Sequence, residues 1–343
     1  MSSLREEMET LARELSSRGF DCVLERFRLP SPPRLTPPAG FLACSAAAFS
    51  LAAGRGAASF LLATLGTILL LLDDRGFSPL DWLGRKRSRA VLVVRGTPSN
   101  TEGRALFFGL PLRCRLTGNG YYSRGETARR GLHAAGMLLC AALWLASAAL
   151  LLLYLPPLPV PGAVAGAALL SLSVLEGVFS AAPAGPENRA PRWAARLAGS
   201  AGERFVPHLL VYSGDPEEVK YFLARHRGAL FRGTGLFLEF PSGANGPLAV
   251  SVREGPLLPY RVDAGLVSRV RSAGDRSGVP PFREATLRYR SPALFSMARG
   301  FRAVTLFRLE GPPEEGAGTE EETAAAWVAG IASGWRAENV AEN

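Results

Sequence analysis

The sequence predicts a mixed α/β domain interrupted by two apolar helical hairpins that cross a membrane. Mean hydropathy is +0.12 although 20% of the residues are charged, so the apolar residues must be concentrated rather than spread. They gather in two blocks, Phe41–Leu72 and Leu132–Ser180, which hold one charge each, Arg55 and Glu176. Outside those blocks the pattern alternates between helical and strand periodicity, which is the signature of an α/β fold. The chain therefore divides into residues 1–40, the start of the α/β domain; 41–72, a first membrane hairpin; 73–131, the domain continued; 132–180, a second hairpin; and 181–343, the remainder.

The elements follow in order. Ser3 and Glu6 stand at capping-box spacing ahead of Leu4, Met8, Leu11 and Leu15, which share one helical face, and Gly19 is a stop. Residues 22–29 (CVLERFRL) alternate as a strand. In the first apolar block Arg55, flanked by Gly54 and Gly56, divides two segments that are each short for a span, so the choice is between a thin hairpin, which is favoured, and one span plus an interfacial piece. Strands are expected over Arg89–Arg95 and Arg104–Arg113. Leu132–Tyr154 then runs 23 residues without a charge, enough to cross a ~30 Å hydrocarbon core at about 1.5 Å per residue. A proline cluster, Pro156, Pro157, Pro159 and Pro161, turns the chain into a second apolar helix.

Beyond the membrane blocks, strands are expected over Pro207–Ser213, Thr234–Phe240, Leu248–Arg253 and Ala303–Arg308. Helices are expected after Asp215, over Asp263–Ser272 and over Glu320–Trp335. Neither residues 1–40 nor 73–131 hold enough strands to close a core alone, so the three polar pieces are read as one mixed-sheet domain.

Charge sets the orientation. Residues 73–131 carry 12 basic and 5 acidic side chains, a net of +7 within the chain's +9, while the hairpin tips hold only Arg55. The positive-inside rule then puts the α/β domain and both termini in the cytoplasm, with the lipid bilayer as the first partner. A secretory signal is not expected, since the first apolar run begins at residue 41. The basic residues are nearly all arginine, only Lys86 and Lys220 being lysine, and no nucleic-acid partner is expected.

Candidate chemistry is sparse. Cys22, Cys44, Cys114 and Cys140 have no CxxC spacing, which excludes a zinc ribbon and a dense disulfide scaffold. The only histidines are His133, His208 and His226; the latter two sit in a strand and at a helix end, where structural roles are expected. No GxGxxG, P-loop or GxSxG phrase occurs. Glu176 is an ionisable group within the second hairpin, which leaves open a small transporter or channel subunit.

The order of elements, with the phrases RGFDCVLERFRLP, ENRAPRWAARLAG, HLLVYSGDPEEVKYFLARH, TGLFLEF and RGFRAVTLFRLEG, resembles the di-zinc aminopeptidases, metallopeptidase family twenty-eight. It looks like the bacterial membrane branch in which apolar segments interrupt the peptidase domain. The resemblance implies two zinc ions, bound by an HxD turn, an Asp before Asn at a helix start, a glutamate pair after a strand, a later Asp and a last His. Laid on this chain, the HxD turn falls on Gly109, Leu110 and Pro111. The bridging Asp falls on Glu187, followed by Asn188; the glutamate pair falls on Asp215, Pro216 and Glu217; the later Asp falls on Pro241, with Glu239 two positions earlier; and no histidine follows Arg308. Pro and Gly side chains offer no donor.

The resemblance thus implies an aminopeptidase-like protein of the bacterial inner membrane, degenerate at the metal site. It would carry no cofactor and act as a binding or scaffolding module for a protein or peptide in the residual cleft. Glu217 stands at the degenerate general-base position. The alternative is a divergent zinc peptidase using Glu187, Glu217 and Glu239.

Overall fold

The computed structural model describes residues 2–17, 19–30, 35–83, 86–95, 106–111, 113–114, 124–153, 159–181, 188–189, 208–212, 216–226, 234–239, 247–276, 283–288 and 290–309. In chain order the elements are α1 (Ser2–Ser17), β1 (Asp21–Pro30), α2 (Thr36–Ala52), α3 (Gly56–Asp74), a 3-10 turn (Pro79–Leu83), β2 (Lys86–Arg95), β3 (Leu106–Pro111) and β4 (Arg113–Cys114). They continue with α4 (Arg124–Leu153), α5 (Pro159–Ala181), β5 (Asn188–Arg189), β6 (His208–Tyr212), α6 (Pro216–Arg225), β7 (Thr234–Glu239) and β8 (Leu248–Glu254). The last are β9 (Tyr260–Arg261), α7 (Ala264–Arg276), β10 (Arg283–Leu287), α8 (Pro292–Met297) and β11 (Arg302–Arg308). They form two compact units: a sheet unit of residues 1–28, 88–121 and 184–343, and a helical unit of residues 29–87 and 122–183.

In the sheet unit nine strands make one mixed sheet in the order β1-β2-β6-β3-β7-β11-β8-β10, with β9 paired to β8. Strands β6, β3, β7 and β11 run parallel to one another. β2 is antiparallel to β6 and β8 to β11, while β10 runs parallel to β8. The period-2 alternation of the central strands explains the layering. Leu92, Val94, Phe108, Val211 and Leu236 point to one face, where Leu15 of α1 and Leu266, Val267 and Val270 of α7 cover them. Val91, Val93, Leu210, Tyr212 and Phe237 point to the other, beneath Val219, Phe222 and Leu223 of α6 and Ala293 of α8.

Strands stand where alternation places them, and α7 runs past the expected Ser272 to Arg276. Two elements exceed expectation. β10 (REATL) lacks the apolar alternation of a core strand because it is the sheet's edge. α8 is a single short helix, begun by Ser291, whose Oγ accepts from Leu294 N, and by Pro292 at the first helical position. The expected helix at Glu320–Trp335 lies outside the described residues, and where a helix was expected to start after Glu187, Asn188–Arg189 instead form strand β5, drawn into pairing with β4.

The helical unit contains four apolar helices. α2 and α3 are split at residues 53–55, with Gly54 at φ +73 where a left-handed turn is needed. α3 over Gly56–Asp74 and α4 over Gly131–Leu153 are long and apolar enough to cross a membrane; α2 and the described apolar part of α5 are shorter. The second pair is not a closely packed hairpin: α5 packs along α2 and α4 along α3, with little direct contact between α4 and α5.

Small residues allow this arrangement. A Cβ on Gly66 would meet Gly40 O at 2.6 Å, and one on Gly40 would meet Leu70 Cγ at 2.7 Å. Gly162 and Gly166, four apart on α5, lie against α2, where a Cβ on Gly162 would stand 2.9 Å from Ala48 O. Polar groups in the interior are tied across helices. Ser45 donates to Gly166 O at 2.8 Å, Ser173 donates to Pro38 O at 2.8 Å, and Ser59 and Ser147 share a hydrogen bond of 2.8 Å. Asp81, on the 3-10 turn, supplies the cap that α2 lacks: its Oδ1 accepts from Leu35 N, Thr36 N and Thr36 Oγ1, each at 2.9 Å.

Candidate functional site at the carboxyl edge of the sheet

In an open sheet with parallel central strands, a site is sought where the strands end in the carboxyl direction. Here β3 ends at Pro111 beside Tyr212, the last residue of β6, and β7 ends at Glu239 beside Phe307 of β11. Just beyond Pro111, β4 and β5 form a two-stranded ribbon that pairs Cys114 with Asn188. Helix α6 follows β6 and carries Glu217 in its first turn. The topology therefore gathers Gly109, Pro111, Asn188, Glu217 and Glu239 toward one edge. Glu187, Asp215 and Pro241 lie outside the described residues.

Gly109 is a packing position. It pairs with Phe237 across the parallel β3–β7 ladder, and a Cβ there would overlap the Cδ1 and Cε1 atoms of the Phe237 ring. Phe237 is fully buried, so the ring fills the space that a side chain at 109 would need.

The acids of α6 are bound into ion pairs. Glu217 Oε2 meets Lys220 Nζ at 3.0 Å, one turn along, and that ammonium lies 5.4 Å from the centre of the Phe295 ring on α8. Glu218 is fully buried, with Arg89 Nε of β2 at 3.8 Å. His226, at the end of α6, meets both carboxylate oxygens of Glu25 on β1 at 2.7 and 2.8 Å. His208 lies within β6. Among the described residues no group of three or more His, Cys, Asp or Glu side chains converges as metal ligands would.

The most unusual ionisable group is one that sequence patterning passes over. Glu254, the last residue of β8, is fully buried. The hydroxyls of Ser251 and Ser291 donate to its two carboxylate oxygens, and Thr305 N donates to Oε1 at 2.9 Å and to Ser251 Oγ at 3.0 Å. Pairing of β11 with β8 stops at Leu306, and the carboxylate takes over from the ladder at Thr305. One side chain thus ties β8, β11 and the start of α8 together. Burial pushes the Glu254 carboxyl above the usual carboxylate range, and the donated hydrogen bonds offset only part of that shift. The signal available in sequence was Ser291-Pro292, a helix-start pair; nothing near Glu254 marks it as buried.

No known protein family matches the chain, and no curated protein matches it. Among solved structures it is similar to BSAP, a zinc aminopeptidase from Bacillus subtilis, at 8% identity and a TM-score of 0.42, over 97% of this chain and 88% of that one.

Proposed function

We propose that this is a membrane protein whose helical unit is embedded in the bilayer and whose sheet unit is a cytoplasmic binding or scaffolding module without two-zinc chemistry. The membrane reading is carried by one observation, the apolar exterior of the helical unit. Its interior holds Ala47, Ala48, Ala63, Ser45, Ser59 and Ser147 beside Phe41, Leu70 and Leu169, while Leu61, Leu138, Leu152 and Val160 project outward. Only 28% of the apolar stretch of α3 and 22% of that of α4 is buried, which does not suit core helices of a soluble protein. In this reading all four helices sit in the lipid, and the loop charges support a cytoplasmic sheet unit at a bacterial inner membrane.

Support for the non-catalytic reading comes from Gly109 and Pro111. Where the sequence resemblance would put a histidine and an aspartate, one residue has no side chain under the Phe237 ring and the other offers no donor. The donor set does not fit a zinc pair. Glu217, the position of the general base, is held by Lys220. A peptide or protein partner at this edge would meet Pro111 and the β4–β5 ribbon.

The test uses full-length protein in membranes. Retention in the pellet after alkaline carbonate extraction supports the anchor, and release overturns it. Two stoichiometric zinc ions by elemental analysis, or peptide hydrolysis lost in Glu217→Ala, overturn the non-catalytic reading in favour of a divergent peptidase.

A further inference from the structure

Within the helical unit, cross-helix contacts bring two cysteines together. Gly40 lies against Leu70 and Gly66 against Cys44, so α2 and α3 are antiparallel. Ser59 pairs with Ser147, and Thr64 Oγ1 accepts from Trp144 Nε1 at 2.9 Å, so α3 and α4 are antiparallel too. Helices α2 and α4 therefore run parallel, and contacts between them advance together along both. Phe41 of α2 meets Gly136 of α4, where a Cβ would stand 2.5 Å from the ring's Cε1. One turn further along each helix, the thiols of Cys44 and Cys140 meet in a hydrogen bond.

Both cysteines are free thiols, fully buried in the core of the unit. Cys44 Sγ lies 4.0 Å from Ala63 O of α3, and Thr67 Oγ1, also on α3, is buried beside it. Packing alone accounts for a buried cysteine, which fills space as a small apolar side chain. It does not account for the meeting of two. The chain has four cysteines in 343 residues, and two of them, on helices that α3 separates in sequence, occupy facing positions. A disulfide forms only where the two side chains face each other at short range, and this pair does.

We infer that Cys44 and Cys140 form a redox site, at which hydrogen peroxide converts the thiol pair to a disulfide that fastens α2 to α4. One cysteine sulfur attacks a peroxide oxygen; the O–O bond breaks, and a sulfenic acid and one water result. The second sulfur then attacks the sulfenic sulfur, forming the S–S bond and expelling the hydroxyl as a second water. Both thiol protons end in water, and the peroxide oxygens take up the two electrons. A small uncharged oxidant is what two sulfurs without exposed surface require. A dithiol reductant reverses the step by exchange. The inference concerns packing inside the helical unit and stands apart from the membrane reading.

Membranes holding the full-length protein are treated with hydrogen peroxide, remaining thiols are blocked with N-ethylmaleimide in denaturant, and peptides are mapped by mass spectrometry with and without dithiothreitol. A linked pair of peptides carrying Cys44 and Cys140 is expected, with both thiols recovered on reduction. In a Cys22→Ser, Cys114→Ser chain only these two cysteines remain, and the count of maleimide-reactive thiols should fall from two to none. Mapping of the wild-type chain keeps the inference testable if that variant fails to fold. Unlinked thiols after peroxide, oxidation to sulfinic acid without a bond, or a bond to Cys22 or Cys114 instead would overturn it. So would a Cys44–Cys140 bond that appears only when the protein is denatured before the peroxide is added.

Discussion

Replacing Gly109 by alanine tests the packing account of the sheet edge directly. The new methyl carbon would stand 3.3 Å from Phe237 Cγ and overlap Cδ1 and Cε1. The ring cannot swing clear cheaply, because it belongs to a buried cluster with Tyr212, Phe222 and Leu223. Overpacking of this kind costs about 1–3 kcal/mol, and removing a glycine from a strand returns about 0.5–1 kcal/mol. A net loss of about 1–2 kcal/mol should lower the melting temperature by roughly 2–8 °C, read by circular dichroism on purified protein. Phe237→Leu in the same chain makes room, so the double variant should lose less than the sum of the two single losses. A Gly109→Ala protein that melts at or above the wild type, or strictly additive losses, would refute the reasoning. The consequence for function is direct: any ligand side chain at 109, histidine included, and the Phe237 ring exclude one another.

Three further outcomes are expected. Glu254 has a folded pKa raised by burial, so its contribution to stability is full below its unfolded value of about 4.3 and is lost as pH rises through the higher folded value. Glu254→Gln should flatten that decline, seen as melting curves of the two proteins that draw apart as pH rises; parallel curves would contradict it. Asp81→Ala leaves the first N–H groups of α2 without their acceptor and should cost about 1–2 kcal/mol, measured as lowered thermal stability in detergent, with Asp81→Asn recovering part of it. Gly66→Val drives a branched side chain into Cys44 and the backbone of Gly40, and should loosen the α2–α3 contact enough for protease to cut near residues 53–55 in detergent solution.

Much of the fold was legible because its physics is local. The run Val91-Leu92-Val93-Val94 reads as a strand buried on both sides, and its odd and even members enter opposite cores. The end of one apolar helix and the start of the next were legible from Gly54, Arg55 and Gly56. Partnership was not legible: helix length follows from a count of apolar residues, but which helix α5 lies against depends on Gly162 and Gly166 matching Ala48 and Phe49 far away in sequence. β10 and α8 escaped for the opposite reason, one being an exposed edge whose Glu284 pairs with Arg271 on α7, the other too short to show a period.

At the site, sequence reasoning marked Gly109 as a lost ligand, whereas its geometry serves the Phe237 ring. Glu254 was invisible because a single glutamate at a strand end looks solvated. Its partners lie 3, 37 and 51 residues away.

The two units differ most in what they expose, and that contrast gives the sharpest test of where the helical unit resides. Beside Phe41, Leu70 and Leu169 the helical unit hides small Ala and Ser residues, yet it turns Leu138 and Leu145, seven apart on one face of α4, outward at 73% and 61% exposure. Were water the surroundings of α4, Leu138→Lys and Leu145→Lys would each change stability by no more than about 0.5 kcal/mol, as exposed substitutions do. If the surroundings are hydrocarbon, each lysine costs about 2.5–3.5 kcal/mol at the helix centre. The double variant should then fail to insert, leaving the protein aggregated or degraded in cells while Leu138→Val with Leu145→Val behaves as wild type. A double-lysine protein that accumulates, purifies without detergent and keeps its melting temperature would show that α4 faces water and would end the membrane reading.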